Sequence, residues 1–337
     1  MREQLIKRIE RVPFVPHPVL RSGHAQTIAA TMARRRTRLL PNNTAPRYFD
    51  ITKDVRILTH CSWQPEKQSF PTLLMLHGME GSTDSQYMLG TAEKALKAGF
   101  NAVRVNMRNC GGTEHLSSTL YHAGLTDDLR FILSELIERD RLTEIYLAGY
   151  SLGGNVVLKL AGEYGNRIPT EVRGVAVVSP TIDLPSCVEA VEMTSNLLYQ
   201  WRFMVSLRNR LRRKARLMPG RYDVDKLRNV RTIRDFDDTF TAPLAGFLNA
   251  SDYYERSSSL PLIAEIAVPT MIVHSKDDPI IPFEPFKRKE IADNTNVAVI
   301  APEHGGHVGF ISAQPEGTDR FWAELRMIDF VRLLSER

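Results

Sequence analysis

A serine with glycines two positions to either side, Gly149-Tyr150-Ser151-Leu152-Gly153, carries the clearest chemical signal in the chain. Upstream, the apolar, partly β-branched run Thr143 to Ala148 predicts a buried strand. Downstream, Val156, Val157, Leu160 and Ala161 stand at helical spacing, which predicts a helix over Asn155 to Gly162. A strand that turns into a helix within a few residues strains the residue at the corner, and small neighbours let the two arms approach. The hydroxyl of Ser151 then stands clear of the backbone at a helix N-terminus, where partial positive charge and free amides favour a developing oxyanion. The expected chemistry is nucleophilic attack on a carbonyl.

A serine hydroxyl is a weak nucleophile near neutral pH and needs a base, commonly histidine, held by a carboxylate. The order to look for after an elbow of this kind is serine, acid, histidine. The predicted strand Thr270 to His274 runs into Ser275-Lys276-Asp277-Asp278-Pro279, placing two carboxylates in one turn. Adjacent residues cannot both face the base. Asp278, immediately before the proline-shaped turn, is the favoured acid and Asp277 the alternative, with Asp183, beyond the strand Gly174 to Val178, more remote. After the strand Val297 to Ile300 comes Glu303-His304-Gly305-Gly306-His307-Val308-Gly309. His307, with glycines on both sides, suits a tight loop that delivers an imidazole; His304 lies nearer the strand end. Two amides should hold the oxyanion, that of Leu152 after the nucleophile and that of Met79 in the loop His77-Gly78-Met79-Glu80-Gly81-Ser82. His77 is expected to orient this loop, since no second metal ligand stands at a helpful spacing.

These residues must be positioned by a scaffold, and strand and helix candidates alternate through most of the chain. That rhythm predicts an α/β fold with a largely parallel sheet covered on both faces. Leu73 to Leu76 and Ala102 to Val105 complete the parallel strands, Tyr48 to Trp63 should supply antiparallel ones, and helices are expected over Ala123 to Glu138 and Arg320 to Leu334. The whole chain, 1–337, reads as one domain. Within it, Asp183 to Leu262 lacks a clear strand and is rich in arginine, aromatic residues and methionine, so it is expected to be a helical cap over the strand ends.

Bulk properties exclude several classes. Three scattered cysteines, Cys61, Cys110 and Cys187, argue against a disulfide framework and for a reducing compartment. No apolar stretch approaches a membrane span, and Met1 to Arg11 alternates charge with Leu5, Ile6 and Ile9, so a cytoplasmic protein is expected. The net charge of +5 comes from two clusters, Arg34 to Arg38 and Arg202 to Arg216, without a nucleic-acid motif.

Taken together, these segments resemble the YheT-like branch of the α/β-hydrolase superfamily, related to the abhydrolase-domain lipases and embryogenesis-associated proteins. The likeness includes Gly23-His24-Ala25-Gln26-Thr27-Ile28, the loop from His77 to Ser82 with Ser85 and Tyr87, Asn106-Met107-Arg108-Asn109-Cys110-Gly111-Gly112, and Tyr121 to Leu129. It continues through the elbow with Asn155, the Asp277-Asp278-Pro279 turn and Gly306-His307-Val308-Gly309-Phe310. Asn109 stands where a glycine is frequent in the family. The resemblance implies an α/β-hydrolase fold and hydrolysis of carboxylic esters, with a triad of Ser151, Asp278 and His307.

The expected reaction passes through an acyl-enzyme on Ser151 and needs neither metal nor organic cofactor. Alternatives are transfer of the same acyl group to an alcohol or thiol, and ligand binding without turnover on the same scaffold. The expected partner is a small or lipid-like ester. Leu197, Leu198, Tyr199, Trp201, Phe203 and Met204 would line an acyl pocket, while Arg202, Arg208, Arg210, Arg212, Arg213, Lys214 and Arg216 would attract an anionic head group or membrane surface. The oligomeric state is left open.

Overall fold

Apolar runs with little alternation suit strands buried on both faces, and such strands form the centre of this molecule. The computed structural model describes residues 6, 9, 11–317 and 319–336; of the charge-alternating start of the chain, Leu5 and most of its charged neighbours lie outside them. Among these residues an eight-stranded sheet has the order β1-β2-β4-β3-β5-β6-β7-β8. The strands are β1 (Thr44–Thr52), β2 (Val55–Ser62), β3 (Thr72–Leu76), β4 (Asn101–Val105), β5 (Ile145–Tyr150), β6 (Val172–Val178), β7 (Thr270–Val273) and β8 (Val297–Ile300). β1 pairs antiparallel with β2, and β2 with β4. From β4 to β8 every pairing is parallel.

The two-residue period of a strand divides its side chains between two layers. Leu74 and Leu76 of β3, with Ile145 and Leu147 of β5, pack into the layer holding helices α3 and α4. Leu73 and Met75, with Tyr146, Ala148 and Tyr150, pack into the layer holding α2 and α8. The longer helices are α1 (Gly23–Met32), α2 (Gln86–Lys97), α3 (Asp127–Glu138), α4 (Leu152–Tyr164), α5 (Leu184–Glu192), α6 (Leu197–Leu217), α7 (Ala250–Ser257) and α8 (Trp322–Ser335). Between β6 and β7 the chain forms only helical elements, α5 to α7 among them, and their apolar side chains join the α3 and α4 layer.

β3 lies between β4 and β5, so the winding of the chain reverses beside it. Ligands of open α/β sheets bind beyond the strand C-termini at such a point. Both the His77 loop, after β3, and Ser151, after β5, are placed there.

Several boundaries differ from the sequence reading for physical reasons. β5 reaches Tyr150 because Gly149 and Tyr150 still pair with Val177 and Val178 of β6. α4 begins at Leu152, directly after the corner, with Gly153 and Gly154 inside the helix. The helix expected from Ala123 starts at Asp127; the carbonyl of Ala123 instead accepts from the Asn155 side chain. α8 begins at Trp322, since Asp319–Phe321 (β10) pairs with Ile311–Glu316 (β9) as a small hairpin.

Candidate active site

Ser151 has φ 53° and ψ −123°, a backbone region that side-chain-bearing residues rarely adopt. The strand-to-helix corner is this tight because its flanks are glycine. A Cβ on Gly149 would stand 2.6 Å from the Gly153 carbonyl oxygen, and one on Gly153 would stand 2.2 Å from that of His77. The corner is pinned from below, where the Ser151 amide donates to Val178 O at 3.0 Å.

From the loop after β8, His307 Nε2 lies 3.0 Å from Ser151 Oγ. Its Nδ1 lies 2.9 Å from Oδ2 of Asp278, in the loop after β7. The other oxygen of Asp278 accepts the amides of Ile280 at 2.9 Å and Ile281 at 3.0 Å, so both oxygens of this buried carboxylate are engaged. Burial by itself would raise the Asp278 carboxyl. The charge of His307 and its hydrogen bond, helped by His274 and the Ile280 amide, outweigh that and hold it below the usual carboxylate range.

The structure separates the adjacent acids. Asp277 Oδ2 faces His304 Nδ1 at 3.2 Å, and its Oδ1 accepts the Gly306 amide at 2.9 Å. Asp183 stands at the N-cap of α5. Neither is paired with His307.

The His77 loop packs directly on the serine, since a Cβ on Gly78 would lie 2.9 Å from Ser151 Cβ. Gly78 N donates to the Tyr87 hydroxyl at 3.0 Å and Glu80 N to the Tyr121 hydroxyl at 3.1 Å. Met79, between them, has no acceptor for its amide among the described residues. Leu152 is the first residue of α4, where a helix has no acceptor of its own for the amide. His77 holds the loop as expected: its imidazole contacts Gly78 O through Nδ1 at 2.7 Å and accepts the Met107 amide at Nε2, 3.0 Å away.

Four residues take places around the candidate site that the sequence did not assign to them. His274 is fully buried, with Nδ1 4.0 Å from Asp278 Oδ2 and its ring stacked on Phe286 at 4.1 Å between centroids. Ser179 accepts the Val308 amide at 3.1 Å, and Thr27 accepts the His307 amide at 2.8 Å. Arg210 Nε is 2.8 Å from Glu80 Oε1, with its guanidinium 4.5 Å from the centroid of the Tyr121 ring.

The last contact, with the burial of Lys214, corrects the placing of these two cations on a basic surface. Lys214 is buried with its ammonium on the carbonyls of Glu114 and Ser117, Arg208 reaches Val230 O, and Arg213 pairs with Glu114. Arg202, Arg212, Arg213 and Arg216 remain exposed. The apolar residues divide too: Tyr199 and Met204 are core, whereas Leu197, Leu198 and Trp201 face outward. In the N-terminal cluster, Arg35 is buried against Glu324 at 3.0 Å.

Arg210→Met would leave the Glu80 carboxylate, only 10% exposed, without its cation. Breaking such a pair costs about 3–5 kcal/mol. Urea unfolding should show a loss of that size, partly recovered in the double variant with Glu80→Gln; a loss well below about 1 kcal/mol would contradict the pairing.

Burial pushes the imidazoles of His77 and His274 down to about 4. In the unfolded chain each takes up a proton near pH 6.5, so below that the unfolded state binds more protons. Stability is therefore fully present above pH ~6.5 and falls as the pH drops toward 4, by about 2 kcal/mol per histidine at pH 5. Urea midpoints measured from pH 7.5 to 4.5 should decline across this window.

Residues 71–314 match the family described as "alpha/beta hydrolase fold". The chain is also 32% identical over 332 residues, 96% of its length and 94% of the other's, to the Escherichia coli protein named "Putative esterase YheT". The chain belongs to the α/β-hydrolase family. Its relatives include human "Phospholipase ABHD3", 26% identical over 242 residues, which are 72% of this α/β-hydrolase and 59% of that protein. Among solved structures, the Pyrococcus furiosus esterase Pf2001 shares the fold with a TM-score of 0.59 and 16% identity, over 89% of this chain and 98% of that one. Among the described residues of this α/β-hydrolase, no helix is long and apolar enough to cross a membrane.

Proposed function

We propose that this α/β-hydrolase cleaves carboxylic esters through an acyl-enzyme on Ser151. One observation carries the reading: the unbroken relay from Asp278 Oδ2 through His307 to Ser151 Oγ, with contacts of 2.9 and 3.0 Å. With Nδ1–H donated to Asp278, Nε2 is left as an acceptor pointing at the serine hydroxyl. His307 takes the hydroxyl proton as Oγ attacks the ester carbonyl. The amides of Met79 and Leu152 receive the oxyanion of the tetrahedral intermediate. His307 then gives the proton to the departing alkoxide, and water activated by the same imidazole releases the acid and restores Ser151.

Lipid-like esters are the substrate class we propose. The name of the human relative points to lipid esters, and the exposed Leu197, Leu198 and Trp201 lie on the helix whose Tyr199 hydrogen-bonds His24 at 3.0 Å. In this reading the insertion between β6 and β7 acts as a cap, and Arg202, beside Trp201, favours substrates or surfaces with negative charge.

The test is labelling of the native chain by a fluorophosphonate probe, followed by p-nitrophenyl esters of increasing acyl length. Labelling together with ester turnover is expected. A folded protein that neither labels nor turns over any ester would overturn the proposal.

A further inference from the structure

The motif Gly23-His24-Ala25-Gln26-Thr27 has no part in the reaction just proposed, yet it lies against the loops that deliver the acid and the base. Those loops are strained. Gly306, Val308 and Phe310 have φ of 60°, 56° and 47°, so the backbone on both sides of His307 is left-handed. Side-chain-bearing residues hold such a conformation only where surrounding contacts impose it.

Helix α1 supplies many of those contacts. Thr27 Oγ1 accepts the His307 amide at 2.8 Å and donates its own proton to Gly23 O at 2.7 Å, a two-step chain from the imidazole-bearing residue into the helix. One turn face over, Gln26 brackets Ile311: its Oε1 accepts the Ile311 amide at 2.8 Å, and its Nε2 donates to Ile311 O at 3.1 Å and Leu20 O at 2.9 Å. The approach leaves no spare room. A Cβ on Gly23 would lie 1.9 Å from Asp277 O, and one on Gly306 would lie 2.2 Å from Gly23 O. Gln26 and Thr27 are both buried.

We infer that Thr27 is a positioning residue for the base: through the His307 amide it sets where the imidazole stands relative to Ser151 and Asp278. The inference rests on the ester-hydrolase reading. Thr27 touches neither substrate nor the reacting atoms; its effect passes through the backbone of His307. A valine has the shape of threonine but offers His307 no acceptor, whereas serine keeps the oxygen and loses only a methyl.

The experiment compares Thr27→Val and Thr27→Ser with the native chain, measuring kcat and KM on the best p-nitrophenyl ester, the rate of fluorophosphonate labelling, and the thermal midpoint. Misplacement of a reacting group by about 1 Å can cost ~100-fold, so Thr27→Val is expected to lower kcat and labelling rate by at least ~10-fold. KM should stay within about twofold, because ground-state binding does not use this contact. Thr27→Ser should recover kcat to within a few-fold of the native value. If Thr27→Val does not fold, Thr27→Ala removes the same acceptor without adding a methyl and takes its place in the comparison.

Unchanged kcat in the acceptor-free variant would overturn the inference, as would an equal loss in Thr27→Ser, which would trace the effect to packing. So would a fall in kcat that merely tracks a smaller folded fraction. A native chain that neither labels nor turns over esters would overturn the hydrolase reading and the inference with it; a native chain that does both, beside an unaffected Thr27→Val, overturns the inference alone.

Discussion

Ser151→Ala is expected to lower ester turnover by about 10⁵–10⁶-fold and to remove fluorophosphonate labelling, while the thermal midpoint stays close to the native value. No other hydroxyl of the described structure is placed on His307 Nε2, so no substitute nucleophile takes over. Alanine meets the same backbone strain at φ 53° as serine does, and the Val178 carbonyl still accepts the residue 151 amide. The fold therefore has little reason to change. Residual rate from oxyanion binding alone sets the floor, which for a serine hydrolase lies about 10³–10⁴ above water. Retained labelling in Ser151→Ala would move the nucleophile elsewhere.

The parts of the candidate site legible in sequence are those encoded within a few neighbouring residues. Gly149 and Gly153 mark the corner because sterics act locally, and Asp278 and His307 announce themselves by strand ends and by proline or glycine beside them. What escaped depends on packing across the chain. Helix α1 buries Gly23, Gln26, Thr27 and Ala30, a face of small and polar residues that gives no hydrophobic period to read. The β9–β10 hairpin contains Pro315 and turns at Gly317, and proline weakens any strand reading. His274 directly follows β7, and only the folded chain brings its ring beside Asp278.

The basic run of α6 was legible in principle. Met204, Leu207, Leu211 and Lys214 follow one another at three or four residues, with Arg210 beside them, and all five are buried. A helical period thus carries two cations inward along with the apolar face. Composition alone made them surface. Their burial ties the insertion to the His77 loop through Arg210 and Glu80, and to the segment of Glu114 and Ser117 through Lys214. The consequence is mechanical: moving α6 disturbs the loop that holds Met79.

Asp278→Asn is expected to lower kcat by about 10³–10⁴-fold, and Asp277→Asn by no more than a few-fold. The difference follows from how each side chain is held. At position 278 the amides of Ile280 and Ile281 both donate to Oδ1, so an asparagine must keep its oxygen there and turn its NH₂ toward His307 Nδ1. That ring nitrogen then has to accept, which moves the imidazole proton to Nε2 and aims it at Ser151 Oγ. His307 is left holding a proton where the proposed reaction needs it to take one. At position 277 the asparagine oxygen still accepts from Gly306, and only the contact with the exposed ring of His304 changes. Stability gives an independent check with the sign worked out. Because the folded Asp278 carboxyl lies below its ordinary 3.8, its ionisation stabilises the fold above that value, and the stabilisation is lost as the pH falls through the lower folded value. Asparagine has no such transition, so the stability gap between native chain and Asp278→Asn should narrow on going from pH 5 to pH 2. Equal rate losses in the two asparagine variants would leave the orientation of His307 unexplained by this geometry.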